Sequence, residues 1–381
     1  MHILISPNAF KNSLDASAAA EAIQKGFVES GLPCSTTCFP VGDGGDGTAR
    51  LIIDRMKGVT IGVKVLNALR KKISASFGLI EDGKTAIIEL ADASGLRHLK
   101  KSEYDPLHAT TFGTGQLITH ALDGGVNKII MGIGGSATVD GAAGILEALG
   151  IRFLNKKNKV LRSIPQDLIE LDKIDLSKFD KRIEKTKLIV LCDVDNFLLG
   201  AAGAPAVFGP QKGATKNDVK KLEKGLTKFR DIALDKTGKD MATIKHGGAA
   251  GGVGAGLSVF LNAELVNGIE YFLDITGFNE ALQKTDLVIT GEGSIDDQTL
   301  QGKGPFGVAK RAKEKNIPVI GLAGKVPLKA DPSLEEYFQS LICINNEIGN
   351  IKAALKETAD NLSRTAKSIG KLLSAANRFD H

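Results

Sequence analysis

The chain has 381 residues, 43% of them hydrophobic and 24% charged, with a net charge of +5. This is an ordinary soluble globular composition, long enough for two domains and a core that needs no staples. Basic residues such as Lys156-Lys157 and Lys220-Lys221 are scattered among acidic ones, so a nucleic-acid footprint, which clusters on one face, is not expected. Trp is absent and aromatics are 5%, so the core must rest on Ile, Leu, Val and Ala, as suits an α/β protein. Cys34 and Cys38 have a loose metal-like spacing, but no second pair completes a site, and the four cysteines read as strand residues of a reducing compartment. No apolar stretch approaches the roughly 18 residues of a membrane span. The chain opens directly on a strand rather than a signal peptide, so a cytoplasmic location is expected.

Short apolar runs alternate with helical patterns along the chain. Residues 2–6 read as a strand, 16–29 as a helix capped by Ser13 or Asp15, 35–41 as a strand and 48–57 as a helix. That βαβα order points to a parallel sheet. Residues 59–67, 73–80 and 84–90 read as sequential strands, with a hairpin turn at Glu81-Asp82-Gly83. A helix at 115–123, a strand at 128–131 and a helix at 141–149 follow, then a strand at 187–192 and helices at 216–236 and 250–260. The last hundred or so residues return to strict alternation. Strands are expected at 286–290, 317–322 and 339–343, and helices at 305–315 and 350–376. The fold class expected is α/β with two α/β domains. Residues 1–57 with 283–381 would form a discontinuous Rossmann- or flavodoxin-like domain, and 58–282 an inserted one, with the active site in the cleft between them.

The 44 glycines concentrate after strands, where ligands of open α/β sheets bind. Glycine turns let backbone amides reach a phosphate, and a following helix adds positive potential. Ser6-Pro7-Asn8-Ala9-Phe10-Lys11 follows the first strand and carries a cation. Asp43-Gly44-Gly45-Asp46-Gly47-Thr48 puts two carboxylates into a helix-opening loop, where they either orient hydroxyls or Mg²⁺ or merely cap the helix. Gly132-Ile133-Gly134-Gly135-Ser136-Ala137-Thr138-Val139-Asp140-Gly141 lies between a strand and a helix, as an anion cradle must, although a capped tight turn reads the same. It lacks the Gly-Lys-Ser/Thr ending of a P-loop. Gly132, Gly134 and Ala137 meet a permissive dinucleotide spacing, but Asn155 stands near where an acidic partner belongs.

Cys192-Asp193-Val194-Asp195-Asn196 ends a strand with two carboxylates. Phe208-Gly209-Pro210-Gln211-Lys212-Gly213-Ala214-Thr215 precedes a helix, and the run Gly247–Gly256 is dense in glycine, for a ligand or for close helix packing. Thr290-Gly291-Glu292-Gly293-Ser294-Ile295-Asp296-Asp297-Gln298-Thr299, then Gly302-Lys303-Gly304-Pro305, suits a phosphate and metal site. His98, His108, His120 and His246 have no metal-ligand spacing, and no Gly-x-Ser-x-Gly elbow is present.

Assembled in order, these loops resemble the type I glycerate kinase family over essentially the whole chain. The carriers are Ile3–Leu14, Asp43–Thr48, Thr110-Thr111-Phe112-Gly113-Thr114-Gly115, Gly132–Gly141, Cys192–Asn196, Phe208–Thr215 and Thr290–Lys303. Asn8 stands where the family commonly has Asp, Val139 where it has Asn, Ala142 where it has Gly, and Phe197 where it has Pro. The resemblance implies ATP, Mg²⁺ and glycerate, with phosphorylation at the 2-hydroxyl. A related hydroxy acid, phosphorylation at the 3-hydroxyl, a non-catalytic sugar-acid binder and an NAD-dependent dehydrogenase stay as alternatives. On the kinase reading Asp193 is the expected base and Lys11 balances the transferring charge. Asn8, Asp43, Gly134, Gly135 and Ser136 are expected at the substrate. Lys212, Gly251, Gly252 and Lys303 are expected at the nucleotide, and Asp195, Glu292 and Asp296 at the metal. The partners expected are glycerate and ATP, with no nucleic acid and no membrane; a homodimer is left open.

Overall fold

Chain packing in the computed structural model, which describes residues 1–296, 299, 302–329, 332–345 and 350–376, divides into two units. One comprises residues 1–43 and 269–381, the other residues 44–268. Asp297 and Gln298 of the last acidic loop lie outside the described residues.

The first unit holds a five-stranded sheet of β1 (His2–Pro7), β2 (Ser35–Cys38), β11 (Leu287–Glu292), β12 (Val319–Ala323) and β13 (Ser340–Cys343). The order is β13-β12-β11-β1-β2, and every pairing is parallel. Near-continuous apolar runs make such strands, because helices bury both faces; Ile3, Leu4 and Ile5 are fully buried. Residues 35–41 were expected as one strand. Pro40 has no amide to donate, so the regular strand stops at Cys38, although Phe39 and Val41 still donate to the carbonyls of Ile5 and Pro7.

Helix Ala16–Ser30 is capped by Asp15, whose side chain accepts from the Ala18 amide, and it ends at Gly31 with φ 74°. Gly26 allows helix Thr358–Ala376 to pack closely, since a Cβ there would overlap the Ser363 carbonyl. The single helix expected at 350–376 is two, Ile351–Lys356 and Thr358–Ala376. The break falls at Thr358, whose hydroxyl donates back to the Ala354 carbonyl at 3.1 Å and meets Ser13 Oγ at 2.7 Å.

The second unit holds β3 (Val59–Leu66), β4 (Lys72–Ile80), β5 (Thr85–Glu89), β6 (Lys128–Gly132), β7 (Arg152–Asn155), β8 (Leu171–Asp175), β9 (Lys187–Cys192) and β10 (Glu264–Asn267). Six of these strands form a sheet in the order β10-β9-β6-β5-β4-β3. The β3-β4-β5 part is antiparallel, and its β4–β5 turn places Glu81, Asp82 and Gly83 at positive φ. The β5, β6, β9 and β10 part is parallel, so these four strands end on a common edge. The antiparallel pair β7–β8 and the strand β10 were not expected from the sequence.

Helix Thr48–Arg55, expected with the N-terminal strands, packs instead on β4 and β5. Its Ala49 amide donates to Glu89 at 2.9 Å, and Ile53 occupies the space left by Gly78. Residues 269–282 lie with the first unit, where Phe278 packs edge-on against Phe39 at 5.1 Å.

Candidate active-site residues

In the first unit the strand order reverses between β1 and β11: the chain passes from β1 to β2 on one side, and from β11 through β12 to β13 on the other. Ligands of open α/β sheets bind at the carboxyl ends flanking such a switch point. Pro7 pairs with Gly291 there, and the Asn8 amide donates to the Gly291 carbonyl at 2.8 Å, so the loops after β1 and β11 start side by side. Asn8 Nδ2 donates to Asp43 Oδ2 at 2.8 Å. A Cβ on Gly304 would stand 2.7 Å from Asn8 Nδ2, so only glycine lets helix Gly304–Lys313 begin this close to the site. Lys303 is the N-cap residue of that helix.

Glu292 ends β11 with its side chain buried, and Thr299 donates to it at 3.2 Å. Burial pushes its carboxyl up to about 7. Lys303 opposes the rise and Asp43 adds to it, while the Thr299 hydrogen bond and Lys11 also oppose it. Ser294 Oγ lies 3.3 Å from Asp296 Oδ2, and the Asp296 amide donates to Thr299. The structure therefore gathers Asn8, Lys11, Asp43, Glu292 and Lys303 into one electrostatic group, with Asp296 on the same loop.

The raised Glu292 makes a testable statement about stability. Its folded value near 7 exceeds the unfolded 4.5, so the stabilisation from its neutral form is complete below about pH 4.5 and lost as pH rises through 7. Gln imitates the neutral acid. Glu292→Gln is expected to match the parent in thermal melts near pH 4 and to exceed it around pH 9, by on the order of 1–3 kcal/mol. Equal melting curves at both pH values would contradict this.

The Glu292, Asp296, Ser294 and Thr299 oxygens are hard donors of the kind Mg²⁺ takes, usually one or two carboxylates beside phosphate oxygens and water. Among the described residues no group of three or more His, Cys, Asp or Glu is poised for a metal. The donor chemistry fits an ion that arrives with a phosphate better than one caged by protein.

In the second unit, Glu89, the Gly132–Gly141 loop and Asp193 follow the parallel strands at their common carboxyl edge. The Gly134 amide donates to the Gly44 carbonyl at 3.1 Å, and the Gly44 amide donates to Thr48 Oγ1 at 3.1 Å. Gly135 has φ 71°, and Asp46 lies against its Cα where a Cβ would collide. Ser136 Oγ donates to the Ala250 carbonyl at 3.0 Å.

Lys212, expected at the nucleotide, is 2% exposed. Its Nζ donates to Ser136 Oγ at 2.6 Å and to the Thr138 carbonyl at 2.7 Å. Burial pushes it down to about 7, and Asp140 opposes that shift. Asp140 is fully buried and raised by that burial; it accepts from Thr111, Ala142 and Gly144 amides and so caps the turn into helix Ala143–Ala148.

Gly251 and Gly252 sit in a kink of helix Ala249–Leu261, with φ 79° and 92°. The space beside Gly251 is filled by the Thr138 carbonyl and that beside Gly252 by Leu198, so both glycines pack on protein.

Asp193 and Asp195 are exposed at the end of β9. His246 Nδ1 lies 2.8 Å from the Val194 carbonyl and 3.1 Å from Asp195 Oδ1, and Lys245 Nζ is 4.0 Å from the same oxygen. Sequence reasoning missed Glu89, which burial pushes up to about 7, and Arg97, 3.7 Å from Glu89 and ion-paired with Asp92. The available signal was a glutamate closing the apolar run Ala86-Ile87-Ile88.

The glycerate kinase family model matches residues 3–374. A glycerate kinase from Halalkalibacterium halodurans is 43% identical over 367 residues, covering 96% of this chain and 97% of that relative. A glycerate 2-kinase from Escherichia coli K12 is 39% identical over 378 residues, covering 99% of each. A crystal structure from Salmonella typhimurium LT2, assigned as glycerate kinase 2, superposes with a TM-score of 0.83 at 41% identity, covering 99% of each chain. The mixed α/β fold, the strand-end loops and these whole-length matches agree: the chain belongs to the glycerate kinase family and is an enzyme of the kinase class.

Proposed function

We propose that the protein transfers the γ-phosphoryl group of ATP to the 2-hydroxyl of glycerate, giving 2-phosphoglycerate. The observation that carries the phosphoryl chemistry is the group of Lys11, Lys303 and Glu292 at the switch point of a parallel sheet. The choice of the 2-hydroxyl is supported by the 39% identity to a glycerate 2-kinase over nearly the whole chain.

Phosphoryl transfer needs positioning and charge neutralisation more than covalent chemistry. Asp193 is proposed as the base that takes the hydroxyl proton as the oxygen attacks phosphorus. Asp195, beside His246, either orients Asp193 or assists with the metal. Lys11 neutralises charge on the transferring group, and Lys303, at a helix N-terminus, holds nucleotide phosphate. Glu292 and Asp296 would hold Mg²⁺, which when bound neutralises phosphoryl oxygens. Asn8 and Asp43 bind glycerate hydroxyls, and the Gly134–Ser136 turn holds an anionic oxygen group. Gly251 and Gly252 are proposed to lie at the nucleotide.

The test is ADP release in the presence of ATP, Mg²⁺ and D-glycerate, compared with L-glycerate, glycolate and lactate. Release that depends on glycerate supports the reading. No ADP release with any of these hydroxy acids would leave only a binding protein.

A further inference from the structure

We propose that Lys212 is a positioning residue: through Ser136 it fixes the turn Gly134–Ser136, whose backbone amides take an anionic oxygen group of a substrate that Lys212 itself does not touch. This rests on the kinase reading above and assigns the way one part of that site is built.

Lys212 ends the short turn Pro210–Lys212 and reaches inward rather than into solvent. Two of its three ammonium hydrogens go to Ser136 Oγ and the Thr138 carbonyl. Ser136 accepts from Lys212 and gives its only hydroxyl hydrogen to the Ala250 carbonyl, so that hydroxyl has no hydrogen left for a ligand. The turn is pinned elsewhere too. The Gly134 amide donates to Gly44, the Ala137 amide to Ser94, and the Gly135 carbonyl accepts from Leu96. Among the described residues the amides of Gly135 and Ser136 have no protein acceptor.

Two successive donors, with a glycine at φ 71°, are the geometry that cradles anionic oxygen. Among the described residues no carboxylate forms an ion pair with Lys212, and Asp140 is occupied by its own amide and hydroxyl donors. Lys212 therefore stands behind the turn and holds Ser136 and the Thr138 carbonyl in place, for an anion that binds in front of it without touching it. That anion is either the carboxylate of the hydroxy acid or a phosphate oxygen of the nucleotide.

The test compares Lys212→Met, Ser136→Ala and the double variant in initial-rate kinetics with both substrates varied, with folding checked by circular dichroism. Each single variant is expected to raise the KM of the same substrate, roughly tenfold to hundredfold for Lys212→Met, leaving the other KM nearly unchanged. The double variant is expected to be no worse than Lys212→Met, because both changes remove one connection. Whichever KM moves names the source of the anion. A wild-type KM in Ser136→Ala, multiplying losses in the double variant, or a lower melting temperature with unchanged kinetics would each overturn the proposal. If Lys212→Met does not fold, Ser136→Ala decides alone. If the wild-type protein shows no turnover, the kinase reading fails separately. The turn is then read by sulfate protection against thermal unfolding, expected in the wild type and weaker in Ser136→Ala; equal protection would overturn it.

Discussion

Asp193→Asn is expected to lower kcat by roughly 10²–10⁴-fold, the usual worth of a positioned general base. Asn keeps the shape and one acceptor oxygen of Asp but does not take up a proton at neutral pH. Asp193 is exposed at the end of β9, so the thermal midpoint should stay close to that of the parent, and KM for both substrates should change little. The measurement is steady-state ADP release beside a thermal melt. Parental turnover in a folded variant would remove Asp193 from the base role and direct attention to the second carboxylate of that loop, Asp195.

Lys11→Met is the second large effect. Lys11 is exposed in the loop after β1, and its charge reaches Glu292. A cation aimed at charge that develops during transfer contributes to kcat more than to ground-state binding, and its loss costs about 10²–10³-fold in kcat. Removing it also removes one influence that lowers the Glu292 carboxyl, so ionisation there shifts further up. The acidic limb of the kcat profile is expected to move to higher pH. A variant whose only defect is a raised KM for ATP would show instead that Lys11 binds nucleotide in the ground state.

Much of the fold was legible because local signals and tertiary packing agree. Strand Lys187–Cys192 and helix Ala16–Ser30 fall almost where periodicity and caps place them, since Asp15 and Gly31 close the helix chemically as well as in pattern. The pair Arg152–Asn155 and Leu171–Asp175 was not legible. These strands are four and five residues long, contain a register irregularity, and are defined by pairing across a long loop. The glycine run at 247–256 was ambiguous for a physical reason: three residues of its helix are left-handed, which no helical periodicity encodes.

The candidate site divides in the same way. Asn8, Lys11 and Glu292 were visible as polar residues at the ends of apolar strands, the parallel register of β1 and β11 brings them together, and Asp43, after β2, joins them through Asn8. Lys212 was expected at the nucleotide from its place in a glycine-rich loop, and the sequence did not show that its side chain is almost wholly buried. Its contacts are with Ser136, 76 positions away, and with the Thr138 carbonyl. Glu89 was hidden for the converse reason. It closes an apolar strand, and its partner amide at Ala49 belongs to a helix expected to pack elsewhere.

Phosphorus NMR of the product formed from D-glycerate, ATP and Mg²⁺ addresses the transfer to the 2-hydroxyl most directly. The expected spectrum shows a phosphate monoester coupled to the single proton on C2, as in 2-phosphoglycerate, appearing in step with ADP. A monoester coupled to the two C3 protons, or ATP consumed with no phosphorylated glycerate, would contradict it.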